Sequence, residues 1–242
     1  MNLKNKIAVV TGGSSGIGQA ICVALAKEGV EVIFTYNKSD DGAEKTLKEI
    51  EGKGEKYKVD IEIKDAVSGF SAFIKDKYKN IDILVNCAGI EVLGEQLDLN
   101  LWRKTFETDL FSVVSVTNSF LKIFNERGKI LNISSLYGDE HYGNKDAIAY
   151  SAAKSALNSF TRTLAKTIAP NILVNAIEPG YVKTPMWSNT SEDEFEKLSK
   201  DKLIERIIDP TEIAQMAVAI LKNDAMTSEI VVVDGGLSLK TV

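Results

Sequence analysis

The feature that most constrains this chain is the alternation of short apolar runs with longer amphipathic segments along its whole length. The apolar runs, such as Ile7 to Val10, are rich in β-branched residues and nearly continuous, with no polar residue at every second position. Strands of this kind are buried on both faces, as in a parallel sheet covered by helices. The alternation therefore predicts an α/β fold with a doubly wound parallel sheet of about seven strands and helices on both faces.

The predicted elements run without a break from the first residues to the last. The strands are predicted at 7–10, 30–36, 55–59, 81–85, 129–133, 172–177 and 229–233. The helices are predicted at 17–27, 41–52, 63–78, 101–127, 147–169, 191–206 and 211–221. Because no repeat or Pro- or Gly-rich linker interrupts this order, we expect one domain over 1–242.

Composition excludes several classes of protein. The 242 residues carry 29 basic and 34 acidic side chains, and the net charge of -5 argues against a nucleic-acid partner. Cys22, Cys87 and the single histidine, His141, are too few for a disulfide framework, a cysteine-rich zinc site or most histidine metal sites, so we predict no metal. The polar start does not resemble a signal peptide and no apolar stretch reaches about 18 residues, so we expect a soluble, cytoplasmic protein with no membrane partner.

A glycine-rich turn follows the first predicted strand and opens the first predicted helix. Glycine lets the backbone approach a pyrophosphate closely, and the helix N-terminus adds N–H groups and a partial positive charge. A turn without any ligand would also use glycine, but the strand–turn–helix order favours a nucleotide phosphate site. The candidate residues are Thr11, Gly12, Ser14, Ser15, Gly16, Ile17 and Gly18.

The second predicted strand ends without a carboxylate, at Thr35 to Lys38. An acidic residue there would hold the adenosine ribose 2′-hydroxyl and repel a 2′-phosphate. Its absence, with Asn37, Lys38 and the serine hydroxyls of the glycine turn nearby, favours NADP(H) over NAD(H). Lys38 as an ordinary solvated loop lysine is an equally good interpretation.

Tyr150 and Lys154 are four positions apart at the start of a predicted helix, so they share one helix face. A phenol has a pKa of about 10, and a nearby ammonium lowers that pKa, which makes the tyrosine a usable acid or base. Pairs with this spacing are common on helix surfaces, so the interpretation needs support from neighbouring motifs.

Three other strand ends provide that support. Ser135 follows the strand before the Tyr-Lys pair, where its hydroxyl can bond a substrate carbonyl. Asn86 to Gly89 ends an earlier strand, and Pro179-Gly180 with Thr184 follows a later one. Because the carboxyl ends of parallel strands line one ligand crevice, we expect these residues in one site.

Together these motifs resemble the short-chain dehydrogenase/reductase family over the whole chain, with 3-oxoacyl-[acyl-carrier-protein] reductases among its most similar members. The glycine turn is similar to the family's T-G-x-x-x-G-x-G loop, Asn86 to Gly89 to its N-N-A-G motif, and Val233 to Gly236 to its V-D-G-G motif. The resemblance implies a Rossmann-type domain that transfers hydride to or from a nicotinamide cofactor.

The resemblance also implies a role for each matching residue. Tyr150 gives or takes the proton at the substrate oxygen, Ser135 positions that oxygen, and Lys154 binds the nicotinamide ribose and lowers the tyrosine pKa. The implied cofactor contacts are the glycine turn with Asn37, Lys38, Asp60, Ile61, Asn86, Ala88, Gly89, Tyr150, Lys154, Pro179, Gly180, Val182 and Thr184.

Two of the departures from the family pattern bear on the expected active site. Asp109 stands where the family has asparagine, and its charge predicts a shifted pH profile through coupled titration with the catalytic pair. A purely turn-stabilising role for Asp109 is the alternative. The span between Ser135 and Tyr150 is longer than usual and contains His141, which we expect beside the substrate and not as a catalyst.

Substrate choice is expected from the loop after Ser135 and from a lid at 185–208. The candidate substrate residues are Ser135, Leu136, Tyr137, His141, Tyr142, Tyr181, Met186 and Trp187. The leading prediction is NADP(H)-dependent reduction of a small carbonyl compound or acyl thioester, with 3-oxoacyl thioester reduction as the main special case. The alternatives are an NAD(P)-dependent sugar, polyol or small-alcohol dehydrogenase and a non-catalytic nucleotide-binding regulator. The resemblance further implies a homotetramer or homodimer.

Overall fold

A computed structural model describes residues 1–92, 94–187 and 190–239. Its strands form one seven-stranded sheet in the order β3-β2-β1-β4-β5-β6-β7, and every neighbouring pair is parallel. The strands are β1 (Ile7–Val10), β2 (Glu31–Tyr36), β3 (Gly54–Lys58), β4 (Ile81–Asn86), β5 (Phe124–Ile133), β6 (Ile172–Pro179) and β7 (Ile230–Val233). The predicted α/β class with a doubly wound parallel sheet is confirmed.

The helices lie between the strands, as expected for parallel strands joined by crossovers. They are α1 (Gly16–Lys27), α2 (Asp40–Glu49), α3 (Lys64–Tyr78), α4 (Leu99–Phe106), α5 (Ser112–Leu121), α6 (Ile148–Ile168), α7 (Glu192–Lys200) and α8 (Pro210–Lys222). A π-helical turn (Glu107–Phe111) joins α4 to α5, and short 3-10 turns span Leu136–Gly138, Pro185–Trp187 and Leu237–Leu239. Within the described ranges, none of the helices combines the length and the apolar character needed to cross a membrane.

Successive strand residues enter two separate apolar layers because side chains alternate across a sheet. Val10 and Phe34 pack with α1 and α8 on one face. Val9 and Ile33 pack with α3 and α5 on the other face. All four side chains are fully buried, which explains why the strands lack the polar alternation of a half-exposed sheet.

The prediction of one helix over 101–127 is wrong at its C-terminal end. The helical segment is interrupted by the π-helical turn and ends at Leu121, and β5 begins at Phe124. Phe124 pairs with Ile81 of β4, and the register shifts before the pairing resumes at Ile83 and Lys129. Residues 124–127 include three polar side chains and lack the sequence pattern of a strand. Their extended conformation therefore depends on pairing with β4, and a tertiary contact of this kind is not visible in local propensity.

The strand order reverses between β1 and β4, which is where open α/β sheets bind ligands. The Thr11 hydroxyl joins the carboxyl ends of these two strands. It accepts hydrogen bonds from the backbone N–H groups of Cys87 and Ala88 at 3.0 and 3.2 Å. The crevice at this reversal is therefore held from below by a buried side chain.

Candidate active site

A cleft of about 540 Å³ lies at the carboxyl ends of the strands and contains most of the predicted site residues. It runs from the glycine turn, past Asn37 and Lys38, to Ser135, Tyr150 and Lys154. The predicted residues that do not line it are Thr11, Asn86, Asp109, His141 and Tyr142. In the part of the chain that the structure describes, His, Cys, Asp and Glu side chains nowhere gather in groups of three that could hold a metal ion.

The glycine turn has the geometry of a phosphate site. Gly12 has a φ of +70°, and a Cβ there would lie 2.8 Å from the Ala88 Cα atom. A Cβ on Gly18 would lie 2.2 Å from the Gly12 carbonyl oxygen. The Ser15 side chain makes no capping hydrogen bond at the start of α1, and the first turn of α1 contains no acidic residue. The N–H groups and positive end of α1 therefore suit an anionic group such as a dinucleotide pyrophosphate.

The end of β2 forms the next part of the cleft. Asp40 is the nearest following acidic residue, and its carboxylate accepts hydrogen bonds from the Tyr36 hydroxyl at 2.9 Å and from Lys58 Nζ at 3.0 Å. These two partners lower the pKa of Asp40. Lys38 lines the cleft and forms no ion pair with any described residue. The side chains at this end thus offer a free cation and an engaged carboxylate.

Thr11 and Asn86 support the cleft from beneath. Thr11 joins β1 to the loop after β4, as described above. Asn86 Nδ2 donates to Thr117 Oγ1 at 3.2 Å and to Asn132 Oδ1 at 2.8 Å, and the residue is buried. Both residues were predicted as cofactor contacts, but the structure places them behind the residues that line the cleft.

β5 ends and α6 begins at the same edge of the sheet. This arrangement brings together three side chains in the cleft, those of Ser135, Tyr150 and Lys154. Lys154 Nζ lies 5.4 Å from the centre of the Tyr150 ring. Lys154 Nζ also donates to the Ile133 carbonyl oxygen at 3.3 Å. The Ser135 hydroxyl accepts a hydrogen bond from the Tyr137 N–H at 3.2 Å.

Asp109 forms a buried ion pair with Lys154. Asp109 Oδ1 lies 3.1 Å from Lys154 Nζ, and it accepts the Ile90 N–H at 3.3 Å. Asp109 lies in the π-helical turn and is fully buried, and its Oδ2 atom has no partner among the described residues. Gly89 allows this approach, since a Cβ there would lie 2.6 Å from Asp109 Oδ1.

Burial and charge act in opposite directions on these titratable groups. Burial raises the pKa of the Tyr150 phenol. The positive charge of Lys154 and a hydrogen bond with Ser135 lower this pKa, whereas the negative charges of Asp109 and Glu91 raise it. The net direction is upward, although the effect of Lys154 has the predicted sign. Burial raises the pKa of Asp109, and Lys154 opposes that rise. Burial lowers the pKa of Lys154, but Asp109 and Tyr150 raise it by more.

Aromatic rings form the substrate end of the cleft. Tyr137 meets Tyr150 and Tyr181 edge to face at 6.3 and 6.2 Å, and Tyr181 meets Trp187 at 5.4 Å. Leu136 and Met186 also line this end. The predicted lid at 185–208 begins here with the 3-10 turn and continues in α7, while residues 188 and 189 lie outside the described residues.

His141 and Tyr142 lie outside the cleft. The His141 side chain is 85 % exposed, and its Nε2 atom lies 3.4 Å from a Glu140 carboxylate oxygen. Tyr142 stacks on Tyr137 with ring centres 6.4 Å apart. The loop therefore reaches the substrate end through Tyr137, and His141 is turned to solvent.

Several cleft residues were not predicted from the sequence. Glu91 lines the cleft two positions after the N-C-A-G motif, which was the available signal. Glu62, Lys104 and Thr108 also line it, where Glu62 pairs with Lys104 Nζ at 2.6 Å and accepts the Thr108 hydroxyl at 2.6 Å. Glu62 is more than 40 positions away from Lys104 and Thr108, so no local pattern could join it to them.

Comparison with known proteins supports this description. The short chain dehydrogenase family model matches residues 6–195. A 3-oxoacyl-[acyl-carrier-protein] reductase of Aquifex aeolicus is 36% identical over 98% of this chain and 99% of its own. A glucose and ribitol dehydrogenase homolog of Arabidopsis thaliana is 34% identical over 97% of this chain and 86% of its own.

Solved structures give the same result. A crystal structure of an actinorhodin polyketide ketoreductase variant with NADPH has a TM-score of 0.89 and 32% identity, and it covers 97% of both chains. The aldohexose dehydrogenase of Thermoplasma acidophilum has a TM-score of 0.88 and 29% identity, over 99% of this chain and 96% of its own. With its fold, its motifs and its full-length relatives in agreement, this chain belongs to the short-chain dehydrogenase family of oxidoreductases.

Proposed function

We propose that this chain transfers hydride between NADP(H) and a carbonyl or secondary alcohol group of a small molecule or acyl thioester. The observation that carries the proposal is the meeting of Ser135, Tyr150 and Lys154 in the same cleft as the glycine turn. The bound nicotinamide supplies or accepts the hydride. In this proposal residues 1–242 act as one catalytic unit.

The chain's own residues supply the proton chemistry. Tyr150 exchanges the proton at the substrate oxygen, and Ser135 holds that oxygen by a hydrogen bond. Lys154 binds the cofactor ribose and keeps a positive charge beside the phenol. Asp109 fixes the Lys154 ammonium through the 3.1 Å ion pair.

NADP(H) is proposed over NAD(H) on the charges at the end of β2. Lys38 forms no ion pair with the described residues, and the Asp40 carboxylate is engaged by Tyr36 and Lys58. A 2′-phosphate would meet a free cation there. We expect Lys38→Ala to lower the ratio of kcat/KM with NADPH to that with NADH about tenfold, since a charge-assisted hydrogen bond is lost. Lys75→Ala on α3 is the matched control, and an unchanged ratio in Lys38→Ala would contradict the preference.

Two substrate classes remain as candidates. Reduction of a 3-oxoacyl thioester is supported by the 3-oxoacyl-[acyl-carrier-protein] reductases among the relatives. Oxidation of a sugar or polyol is supported by a specific feature of the cleft, the carboxylate of Glu91 beside Tyr150.

The deciding experiment assays the purified protein with NADPH and NADH against an acetoacetyl thioester, simple ketones and sugars. Tyr150→Phe should lower kcat by about 10²–10⁴-fold while the cofactor still binds, because general acid–base catalysis is lost. Tyr57→Phe, on β3, is the matched control. Cofactor binding without oxidoreductase activity on any substrate would favour the alternative of a nucleotide-binding regulator.

The remaining properties are proposals of the same kind. We propose a homotetramer or homodimer, a cytoplasmic location, and no nucleic-acid or membrane partner. The acidic net charge of -5 supports the absence of a nucleic-acid partner.

A further inference from the structure

Glu91 is a half-buried carboxylate inside the reaction cleft. It follows Gly89 by two positions and lines the same cleft as Ser135 and Tyr150. The preceding residue, Ile90, donates its N–H to Asp109 Oδ1, and the same oxygen pairs with Lys154, so Glu91 lies at the Tyr150 end of the cleft. Its charge contributes to the raised pKa of both Tyr150 and Tyr137.

Glu91 has no hydrogen-bond or ion-pair partner within residues 1–92, 94–187 and 190–239. Lys154, which lines the same cleft, is engaged by Asp109 and by the Ile133 carbonyl oxygen. A carboxylate that is half-buried and has no protein partner loses part of its hydration without a compensating hydrogen bond. Burial and the Asp109 charge accordingly raise the pKa of Glu91. A ligand that donates a hydrogen bond would satisfy this group.

The aromatic side chains of the same cleft add a second requirement for the ligand. The rings of Tyr137, Tyr181 and Trp187 line the substrate end, and the Tyr137 hydroxyl donates to the Tyr181 hydroxyl at 3.3 Å. Aromatic faces accept the C–H faces of a carbon ring or chain, while the carboxylate accepts hydroxyl protons. Apolar walls with a few placed polar groups are how pockets orient such a ligand.

Other ligand chemistries fit this charge pattern poorly. The Glu91 and Asp109 carboxylates repel a substrate that carries its own carboxylate near the reacting carbon. A 3-oxoacyl thioester has a methylene and a thioester carbonyl beside the ketone, and neither donates a hydrogen bond to Glu91. Its binding would bury the carboxylate further without compensation.

We infer that Glu91 is a specificity-determining residue that accepts a hydrogen bond from a hydroxyl group next to the reacting carbon. The preferred substrates are then uncharged sugars or polyols with vicinal hydroxyl groups. This inference rests on the proposed hydride transfer and selects between its two substrate classes.

The test compares substrates that differ by one hydroxyl group. With NADP⁺, kcat/KM is measured for cyclohexane-1,2-diol and cyclohexanol, and D-glucose and ribitol extend the series. The wild-type enzyme should prefer the diol at least tenfold. Rates are compared on the high-pH plateau of each variant, because Glu91→Leu also removes a charge that acts on Tyr150. There Glu91→Leu should lower the ratio of kcat/KM for the diol to that for cyclohexanol at least tenfold, and it should raise activity on an acetoacetyl thioester with NADPH. Glu91→Gln keeps the shape of the side chain, and its kcat/KM for the diol should lie between the values of the wild type and of Glu91→Leu.

Glu95→Gln, an exposed change in the same loop, is the matched control. An unchanged Kd for NADPH shows that each variant is folded. Equal effects of Glu91→Leu on diol and cyclohexanol would overturn the inference, as would a preference for 2-aminocyclohexanol over the diol, which would make the ligand group an ammonium. Absence of turnover for every alcohol and ketone in the wild-type protein refutes the proposed function itself, which is a distinguishable result.

Discussion

Asp109 and Lys154 form the buried ion pair on which the behaviour of Tyr150 depends. The two side chains meet at 3.1 Å, and Asp109 is fully enclosed by the π-helical turn and the loop after β4. The negative charge of Asp109 supports the Lys154 ammonium, but it also opposes formation of a phenolate on Tyr150. An uncharged amide at position 109 would keep the shape of the side chain and would no longer oppose formation of the Tyr150 phenolate.

We therefore predict that Asp109→Asn shifts the pH–rate profile for alcohol oxidation. Oxidation requires deprotonated Tyr150, so its rate rises with pH through the pKa of that group. Removing a nearby negative charge lowers that pKa, so the rising limb of the profile should move to lower pH. Asp76→Asn, an exposed change on α3, is the control. Superimposable profiles for wild type and Asp109→Asn would show that Asp109 only stabilises the turn.

At the scale of residues, local motifs predicted the meeting of Ser135, Tyr150 and Lys154 better than they predicted the residues at the substrate end of the cleft. The spacing of Tyr150 and Lys154 and the position of Ser135 after a strand predicted their convergence. His141 was expected beside the substrate and is exposed to solvent, because the direction of a loop side chain depends on tertiary contacts. Glu91 carried only a weak signal, since an acidic residue after a strand is usually a solvated loop residue.

At the scale of elements, the 3-10 turn after β5 is held directly against α6. The Gly138 carbonyl oxygen accepts hydrogen bonds from Ser155 Oγ at 2.8 Å and Asn158 Nδ2 at 3.0 Å. A Cβ on Gly138 would lie 2.6 Å from the Lys154 carbonyl carbon. The distance between the Ser135 strand end and the Tyr-Lys helix thus depends on one glycine.

Gly138→Ala should lower kcat about 10²-fold, because a shift of the turn by about 1 Å misplaces Ser135 relative to Tyr150. Gly143→Ala, in the same loop, is the control, since a Cβ there meets nothing within 4 Å. Steady-state kinetics of both variants measure the effect. Equal kcat values for the two variants would contradict a positioning role for the turn.

A second link between elements predicts a pH-dependent stability. Glu178 of β6 is buried and bonds Asn158 of α6 at 2.5 Å. Burial raises the pKa of Glu178 to about 7. The folded chain therefore retains a proton that the unfolded chain releases near the ordinary glutamate pKa of about 4.3. The resulting stabilisation is complete below that value and is lost as pH rises through 7.

The free energy of unfolding of the wild type should thus fall by about 1–3 kcal/mol between pH 5 and pH 8 relative to Glu178→Gln, which mimics the protonated form. Urea unfolding at both pH values measures this difference. Glu229→Gln, an exposed change beside β7, controls for general charge effects. A wild type and a Glu178→Gln variant with parallel pH dependence would refute the prediction.

The type and order of the elements were predictable because each buried run and each amphipathic segment follows its own local period. The boundary at Leu121 and Phe124 was not, because β5 is extended backward by pairing with β4. The π-helical turn at 107–111 was also not predicted, and it carries the Asp109 side chain.

At the scale of the whole molecule, the segments from the loop before α4 to the start of α6 expose several large apolar side chains. Phe111 and Val114 are three positions apart and are 53% and 39% exposed, and Leu97, Leu99 and Ile148 are exposed in neighbouring segments. Exposed apolar side chains on one helix face, such as Phe111 and Val114, are typical of an interaction face. It supports the proposed homotetramer or homodimer.

Gel filtration of the wild type should give a mass two or four times the 26.5 kDa of the chain. Phe111→Glu should elute at a smaller mass, because a charge at the centre of an apolar interface is not compensated. Phe73→Glu, at an exposed phenylalanine on α3, is the control. Elution of the wild type near the monomer mass would refute the prediction of an oligomer.

The strand order has a consequence for the nascent chain. β2 adds beside β1 and β3 beside β2, after which β4 takes the free side of β1 and β5, β6 and β7 follow outward in turn. Each strand that leaves the ribosome thus finds an open edge, and none has to insert between two strands already paired. Since synthesis proceeds from the N-terminus, the sheet can grow in the order of translation. The Thr11 bonds between β1 and the loop after β4 can therefore form before the second half of the chain is made, whereas the bond from Asn86 to Asn132 forms only after β5 has been added.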